Sequence, residues 1–307
     1  MIRLVKKYLL YVWNVFYNAI HKNLLFLSIA IDKCYTVFHK PPTIIDVQSS
    51  ISYIVKNKCS VARYGDGEMK LIRGKDISFQ RNYPQLGLRL KEILKSEDKN
   101  LVVCIPGVFD SLEIYNKHDK QYWKEYLSYN RRIWYKNIDK NRVYYDAFVS
   151  RCYLPYNDKS NVEKCFKLWK QLWKDKDVLI VEGEKTRFGI GNDLLDDAHS
   201  IKRILGPVKD AYSCYDELLK EVNKFPKGIL VLLALGPTAT VLAADLSYAG
   251  YHAIDIGHLD IEYEWFLKQV DRKVPIEGKY VNEAGAGAGV GECDDEKYQS
   301  QIIRVIC

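Results

Sequence analysis

Val178-Leu-Ile-Val-Glu-Gly-Glu-Lys-Thr-Arg-Phe-Gly-Ile-Gly-Asn-Asp193 reads as a buried strand running directly into a polar, glycine-rich loop. Its apolar run, Val178 to Val181, has no alternation of polar and apolar positions, the pattern of a strand covered on both faces. The loop therefore begins at a carboxyl strand end, where open parallel sheets bind ligands. Gly189 and Gly191 let the backbone approach a ligand closely, and Asn192 or Asp193 can cap a helix read over 192–204. Free N–H groups at such a cap suit an anion. A capped loop closed by a Glu184 to Arg187 pair fits the same spacing with no ligand at all.

The same rhythm continues on both sides of this stretch. Ser60 to Arg63, Leu101 to Ile105, Ile229 to Leu235 and Ala253 to Ile256 read as further strands. Leu86 to Leu94, Asn161 to Trp173, Tyr215 to Val222 and Ala239 to Ala249 carry the 3.6-residue period of helices. Strand and helix in alternation predict an α/β fold, a Rossmann-like, mostly parallel sheet with helices on both faces. Asp119 to Arg142 interrupts the rhythm: Tyr122, Trp123, Tyr126, Tyr129, Trp134 and Tyr135 among charges predict an inserted helical pair able to overhang a site. Pro41-Pro42 ends the N-terminal segment, because neither ring continues a helix. Three parts are expected: 1–40, 41–283, and a glycine-rich tail over 284–307.

The 307 residues are 48% apolar and 28% charged, which excludes disordered and fibrous classes. Most of the net charge of +7 lies in residues 1–40, where Arg3, Lys6, Lys7, Lys22, Lys33 and Lys40 oppose Asp32 alone. The near-neutral remainder gives no nucleic-acid surface. Val5, Leu9, Val12, Phe16 and Ile20 recur at helical spacing, with Lys7, Asn14, Asn18 and Lys22 on another stripe. This amphipathic helix, with Trp13, Phe16, Tyr17 and Phe26 beside lysines, suits the plane of an anionic membrane surface; packing on the rest of the protein is the competing reading. Asn14, Asn18, His21 and Asn23 argue against a membrane span, and no small-residue cleavage site follows. Eight scattered cysteines, without CxxC or zinc spacing, read as buried free thiols in a reducing cytoplasm.

Three more strand ends carry chemistry. Val61-Ala-Arg-Tyr-Gly-Asp-Gly-Glu68 places Asp66 and Glu68 on either side of Gly67, so both carboxylates can converge on one hard cation, although a solvated turn has the same residues. Arg63 adds a donor fork for phosphate or carboxylate. Leu233-Ala-Leu-Gly-Pro-Thr-Ala-Thr240 puts Pro237 in a first helical turn, Thr238 at a cap or phosphate, and Gly236 beside a ligand. Ala253-Ile-Asp-Ile-Gly-His-Leu-Asp-Ile-Glu-Tyr-Glu264 crowds His258, Asp260, Glu262 and Glu264 at one strand-to-helix turn, where neighbouring charges shift pKa values towards general-base use. The tract Glu283 to Glu292, with Gly285, Gly287, Gly289 and Gly291, is no dinucleotide fingerprint, since too little chain follows to build another βα unit.

Arg63-Tyr-Gly-Asp-Gly-Glu68, Val181 to Asp193, Leu235-Gly-Pro-Thr-Ala-Thr240 and Asp255-Ile-Gly-His-Leu-Asp-Ile-Glu-Tyr-Glu-Trp265 resemble, in this order, the motifs of the bacterial GT-D-fold glycosyltransferases. The resemblance runs from about residue 45 to about 283, with Tyr64 where members usually have Phe. It implies a nucleotide-sugar donor and a divalent metal, Mn²⁺ or Mg²⁺, on Asp66 and Glu68. The resulting expectation is a cytoplasmic, metal-dependent transfer of a hexose, glucose foremost, from a UDP-sugar to a cell-surface polysaccharide or glycoprotein glycan. Arg63, Gly65, Glu184, Arg187, Asn192, Asp193, Gly236 and Thr238 are the expected donor-binding residues. Glu264 is the expected general base, oriented by His258 or Asp260. A nucleotide-sugar-binding module without turnover, and another nucleotide-dependent α/β enzyme, are the alternatives.

Overall fold

Each non-alternating apolar run of the sequence lies in one nine-stranded sheet of the computed structural model, all pairings parallel. The structure describes residues 2–306 except 282, 286 and 288, with side chains described from Ile20 onward. The first half of the chain runs α1 (Ile2–Phe38), β1 (Thr43–Ile45), α2 (Val47–Asn57), β2 (Ser60–Arg63), α3 (Asp66–Ile72), α4 (Pro84–Ile93), β3 (Leu101–Ile105), α5 (Lys117–Asn137) and β4 (Val143–Asp146). It continues with α6 (Val162–Trp173), β5 (Asp177–Gly183), β6 (Ser200–Gly206), α7 (Tyr215–Val222), β7 (Leu230–Ala234), α8 (Pro237–Tyr248), β8 (His252–Asp255), α9 (Leu259–Leu267), α10 (Glu296–Gln301) and β9 (Ile302–Val305).

Two units divide the chain. The larger comprises Thr43–Gly107 and the chain from Asn141 onward, and it holds the sheet in the order β1-β4-β3-β2-β8-β7-β5-β6-β9. Leu101 to Ile105 and Leu230 to Leu233 are buried throughout, because helices cover both faces. α6 shows how: Val162, Cys165, Phe166, Trp169, Leu172 and Trp173 recur at helical spacing and are buried. The chain leaves β2 for β3 on one side and reaches β8 from β7 on the other, so the carboxyl ends of neighbouring β2 and β8 form a topological switch point.

The smaller unit joins the chain through Pro42 to Val108–Lys140. The stretch expected as a helical pair is one 21-residue helix, α5, packed on α1 instead of on a second half of itself. Arg131 on α5 chelates Asp32 at 2.9 and 3.1 Å and also donates to the Phe109 carbonyl. α1 is the expected N-terminal helix, but the stripe positions Val5, Leu9, Val12 and Phe16, and with them Trp13 and Tyr17, lie outside the described side chains. Among the described residues, no helix is long and apolar enough to cross a membrane.

Three expectations are corrected. The helix read over 192–204 is turns followed by β6, whose Arg203 hides the strand pattern: it is fully buried only because its guanidinium meets Glu182 of β5 at 2.5 Å. The segment after 284 is more than a glycine-rich tail, since β9 pairs with β6 at the sheet edge. Cys214 is disulfide-bonded, unlike the free thiols expected of every cysteine; spacing along the chain does not report which thiols the fold brings together.

Candidate active site

At the switch point, Arg63 ends β2 and Asp255 ends β8. Arg63 Nε donates to the Asp255 carbonyl and Nη2 to Asp255 Oδ1, both at 3.0 Å, while Nη1 reaches the Ala147 carbonyl at 3.4 Å. Burial pushes the Asp255 carboxyl up, and Arg63 and the Thr240 hydroxyl draw it back. Thr240, in the first turn of α8, also bonds the Arg63 carbonyl at 2.9 Å, tying three strand ends together. Gly257 completes the fit: a Cβ there would stand 1.9 Å from Arg63 Nη2.

Asp66 and Glu68 occupy the first turn of α3, where the helix dipole favours carboxylates. Glu68 Oε2 accepts from the Gly65 N–H at 2.6 Å, and Asp66 Oδ2 meets Lys70 at 2.7 Å in an exposed pair of little strength. Burial lifts the Glu68 carboxyl to about 7 against the Gly65 hydrogen bond, and the Asp255 charge adds to the rise. Among the described residues, no three His, Cys, Asp or Glu side chains gather as a metal cage. The Asp66 and Glu68 oxygens are the donor type a hard divalent cation takes, with the rest of its shell from water or a diphosphate, but two residues apart on one helix they are held on different partners, Lys70 and the Gly65 N–H. Asp66 and Glu68 are the residues that would hold it.

A second centre forms on α9, one strand end away. Asn192 Nδ2 donates to Asp260 Oδ1 at 2.8 Å and to Glu264 Oε1 at 2.7 Å. The buried Lys279 ammonium bonds Asp260 Oδ2 at 2.6 Å and Glu264 Oε1 at 3.2 Å. Both Asp260 oxygens are thus engaged, whereas among the described residues Glu264 Oε2 has only Lys268, 3.9 Å away. Lys279 also lines a cavity of about 470 Å³ with Gly278, Gly287 and Gly291. Asp260 and Glu264 meet because residues four apart share a helix face.

His258 sits elsewhere, correcting its expected role beside Glu264. It is the N-cap of α9, six residues from Glu264 and off that face; its Nδ1 accepts from Arg151 at 3.1 Å and its Nε2 faces Glu283 at 3.6 Å. Burial would raise the Glu283 carboxyl, but Arg151, His258 and Lys273 together hold it well below the usual range. Arg187, expected at the donor, donates from Nη1 and Nη2 to the Gly278 and Gly291 carbonyls while its buried Nε has no hydrogen-bond partner among the described residues, and Asp193 meets Lys170 and Tyr263. Glu184 is exposed just beyond β5. Gly236 and Thr238 open α8 under the 79–83 loop, where Phe79 covers Gly236 and Gln80 accepts from the Thr238 hydroxyl at 3.2 Å. Asp210 anchors that loop by accepting from Gln80 at 2.6 Å and Tyr83 at 2.9 Å.

Sequence reasoning left Asp255, Lys279, Gln80 and Asp210 unassigned. For Lys279 a signal existed: two acids four apart on an apolar helix need a buried cation, although nothing local names which one.

The chain matches the glycosyltransferase GT-D fold family over residues 61–284, and it belongs to that family. It is 40% identical over 262 residues to a probable glycosyl transferase, Gly, of Streptococcus gordonii, covering 85% of this chain and 38% of that protein. It is 36% identical over 271 residues to the glycosyltransferase GlyD of Streptococcus pneumoniae serotype 4, covering 87% of this chain and 33% of that protein. The chain therefore spans little more than a third of the length of these relatives. Among solved structures, a glycosyltransferase (DUF1792) from Streptococcus sanguinis superposes with a TM-score of 0.83 at 38% identity, over 87% of this chain and 100% of that one. A domain of unknown function 1792, described as having a distinct glycosyltransferase fold, gives a TM-score of 0.83 at 37% identity, over 92% and 99% of the two chains.

Proposed function

We propose that this chain is a metal-dependent glycosyltransferase that moves a hexose, glucose first among the candidates, from a UDP-sugar to a cell-surface polysaccharide or glycoprotein glycan. What supports this reading is the placement, after the neighbouring strands β2 and β8, of two carboxylates in the first turn of α3, Asp66 and Glu68, and of Glu264 on α9. A divalent cation on Asp66 and Glu68 would offset charge developing on the departing diphosphate. Arg63 acts as a positioning residue, since its fork binds Asp255 and the Ala147 carbonyl and so ties the ends of β2 and β8 together. Glu264 Oε2 takes the proton of the acceptor hydroxyl, while Asn192 and Lys279 hold Oε1 and set the carboxylate plane.

UDP release in Mn²⁺, measured over a panel of UDP-sugars with mixed glycan acceptors, tests this reading. Glu264→Gln is expected to cut kcat by roughly 10²-fold while UDP affinity stays near the parent. Parental turnover by that variant would remove the base assignment. UDP binding with no release from any donor would mark a nucleotide-sugar-binding module instead.

A further inference from the structure

α1 turns one face to α5 and leaves another bare. On the covered face Ser28 bonds Ser128 at 2.9 Å, Asp32 meets Arg131, and Tyr35 lies against Tyr135 with Arg132 over its ring. On the bare face Ile20, Leu24, Leu27, Ile31, Cys34 and Phe38 follow at alternating steps of four and three, all exposed. Phe26 and Val37 widen it, each 76% exposed, and Phe38 is 83% exposed. At 100° per residue these positions cover an arc of about 160°, broader than the two-position seam of a coiled coil.

Charge decides what covers this arc. Lys33 and Lys40 are exposed along its edge, at seven-residue steps from Phe26. Asp32, the one acid in residues 1–40, is consumed by Arg131 on the other face. A second copy of α1 laid against the first would bring lysine to lysine with no acid to pair them. An anionic bilayer surface accepts apolar side chains between its headgroups and attracts the bordering cations. We propose that α1 lies in the plane of an anionic lipid surface through the face from Ile20 to Phe38, with α5 as its protein-side support. This inference concerns the smaller unit and does not depend on the chemistry at the strand ends.

The test is co-sedimentation of the full chain, at low salt, with vesicles of phosphatidylcholine alone or containing about one quarter phosphatidylglycerol. The parent is expected to bind the mixed vesicles at least about tenfold more tightly than the neutral ones. Leu24→Ser combined with Leu27→Ser is expected to weaken binding at least about tenfold without changing the melting temperature, because both side chains are exposed. Lys33→Glu with Lys40→Glu is expected to erase the preference for the anionic vesicles. Equal vesicle binding by the serine variant would overturn the proposal. So would a parent that ignores vesicles but sediments as a dimer which the serine variant dissolves, assigning the face to a second copy. UDP release with soluble acceptor, measured alongside, is expected to stay parental in every variant; a parent that binds the anionic vesicles but releases no UDP from any donor would count against the transferase reading alone.

Discussion

Glu262 has one carboxyl oxygen on the N–H groups of Tyr153 and Leu154, at 3.1 and 2.9 Å, and the other buried with no hydrogen-bond partner among the described residues. Burial lifts its carboxyl to about 7, against the pull of Arg151 and those two N–H groups. The folded state therefore holds a proton between about pH 4.5 and 7 that the unfolded chain has lost, and raising the pH through that window lowers stability. Glu68 and Asp146, also lifted to about 7 by burial, push in the same direction. Glu262→Gln keeps an acceptor for the N–H groups and removes one titration. Its melting temperature is expected to fall less steeply with pH over that window than the parent's, and to equal or exceed it at pH 8. A parental slope would show that Glu262 is ionised in the folded protein.

At the scale of elements, the turn from β8 into α9 fixes the crevice. Gly257 has φ of +46° and faces Arg63, whereas Gly250, at φ of +86° after α8, has nothing within 4 Å. Gly250→Ala should cost only backbone strain, about 1 kcal/mol. Gly257→Ala must also dislodge Arg63 from buried Asp255, and is expected to cost more than about 3 kcal/mol by urea denaturation. Equal losses would mean that the Arg63 to Asp255 pair does not hold these strand ends. The interior strands were legible because their apolar runs do not alternate, and the strand ends because glycines and acids follow those runs at once. β6 was not, because Arg203 looks exposed until Glu182 is placed beside it. β1, β4 and β9 are three- or four-residue strands at or next to a sheet edge, too short for a period to show. Within the site, the crowding of Asp260 and Glu264 was legible because both follow one strand end closely. The contacts of His258, Arg187 and Asp193 with Glu283, Gly291 and Lys170 were not legible, because those partners are set by tertiary folding.

Across the whole molecule, the sheet is parallel throughout and brings the motifs to one end of the larger unit, with β2 and β8 at the switch point. A metal-linked diphosphate at that crevice is the central claim, and it is separable from turnover. Calorimetric titration of UDP into the full chain, with and without Mn²⁺, addresses it directly. UDP is expected to bind in Mn²⁺ and at least about tenfold more weakly without it, and Asp66→Asn or Glu68→Gln should bring the Mn²⁺ value down to the metal-free one with the melting temperature little changed. UDP affinity that is indifferent both to Mn²⁺ and to these substitutions would contradict the placement of the donor at the ends of β2 and β8.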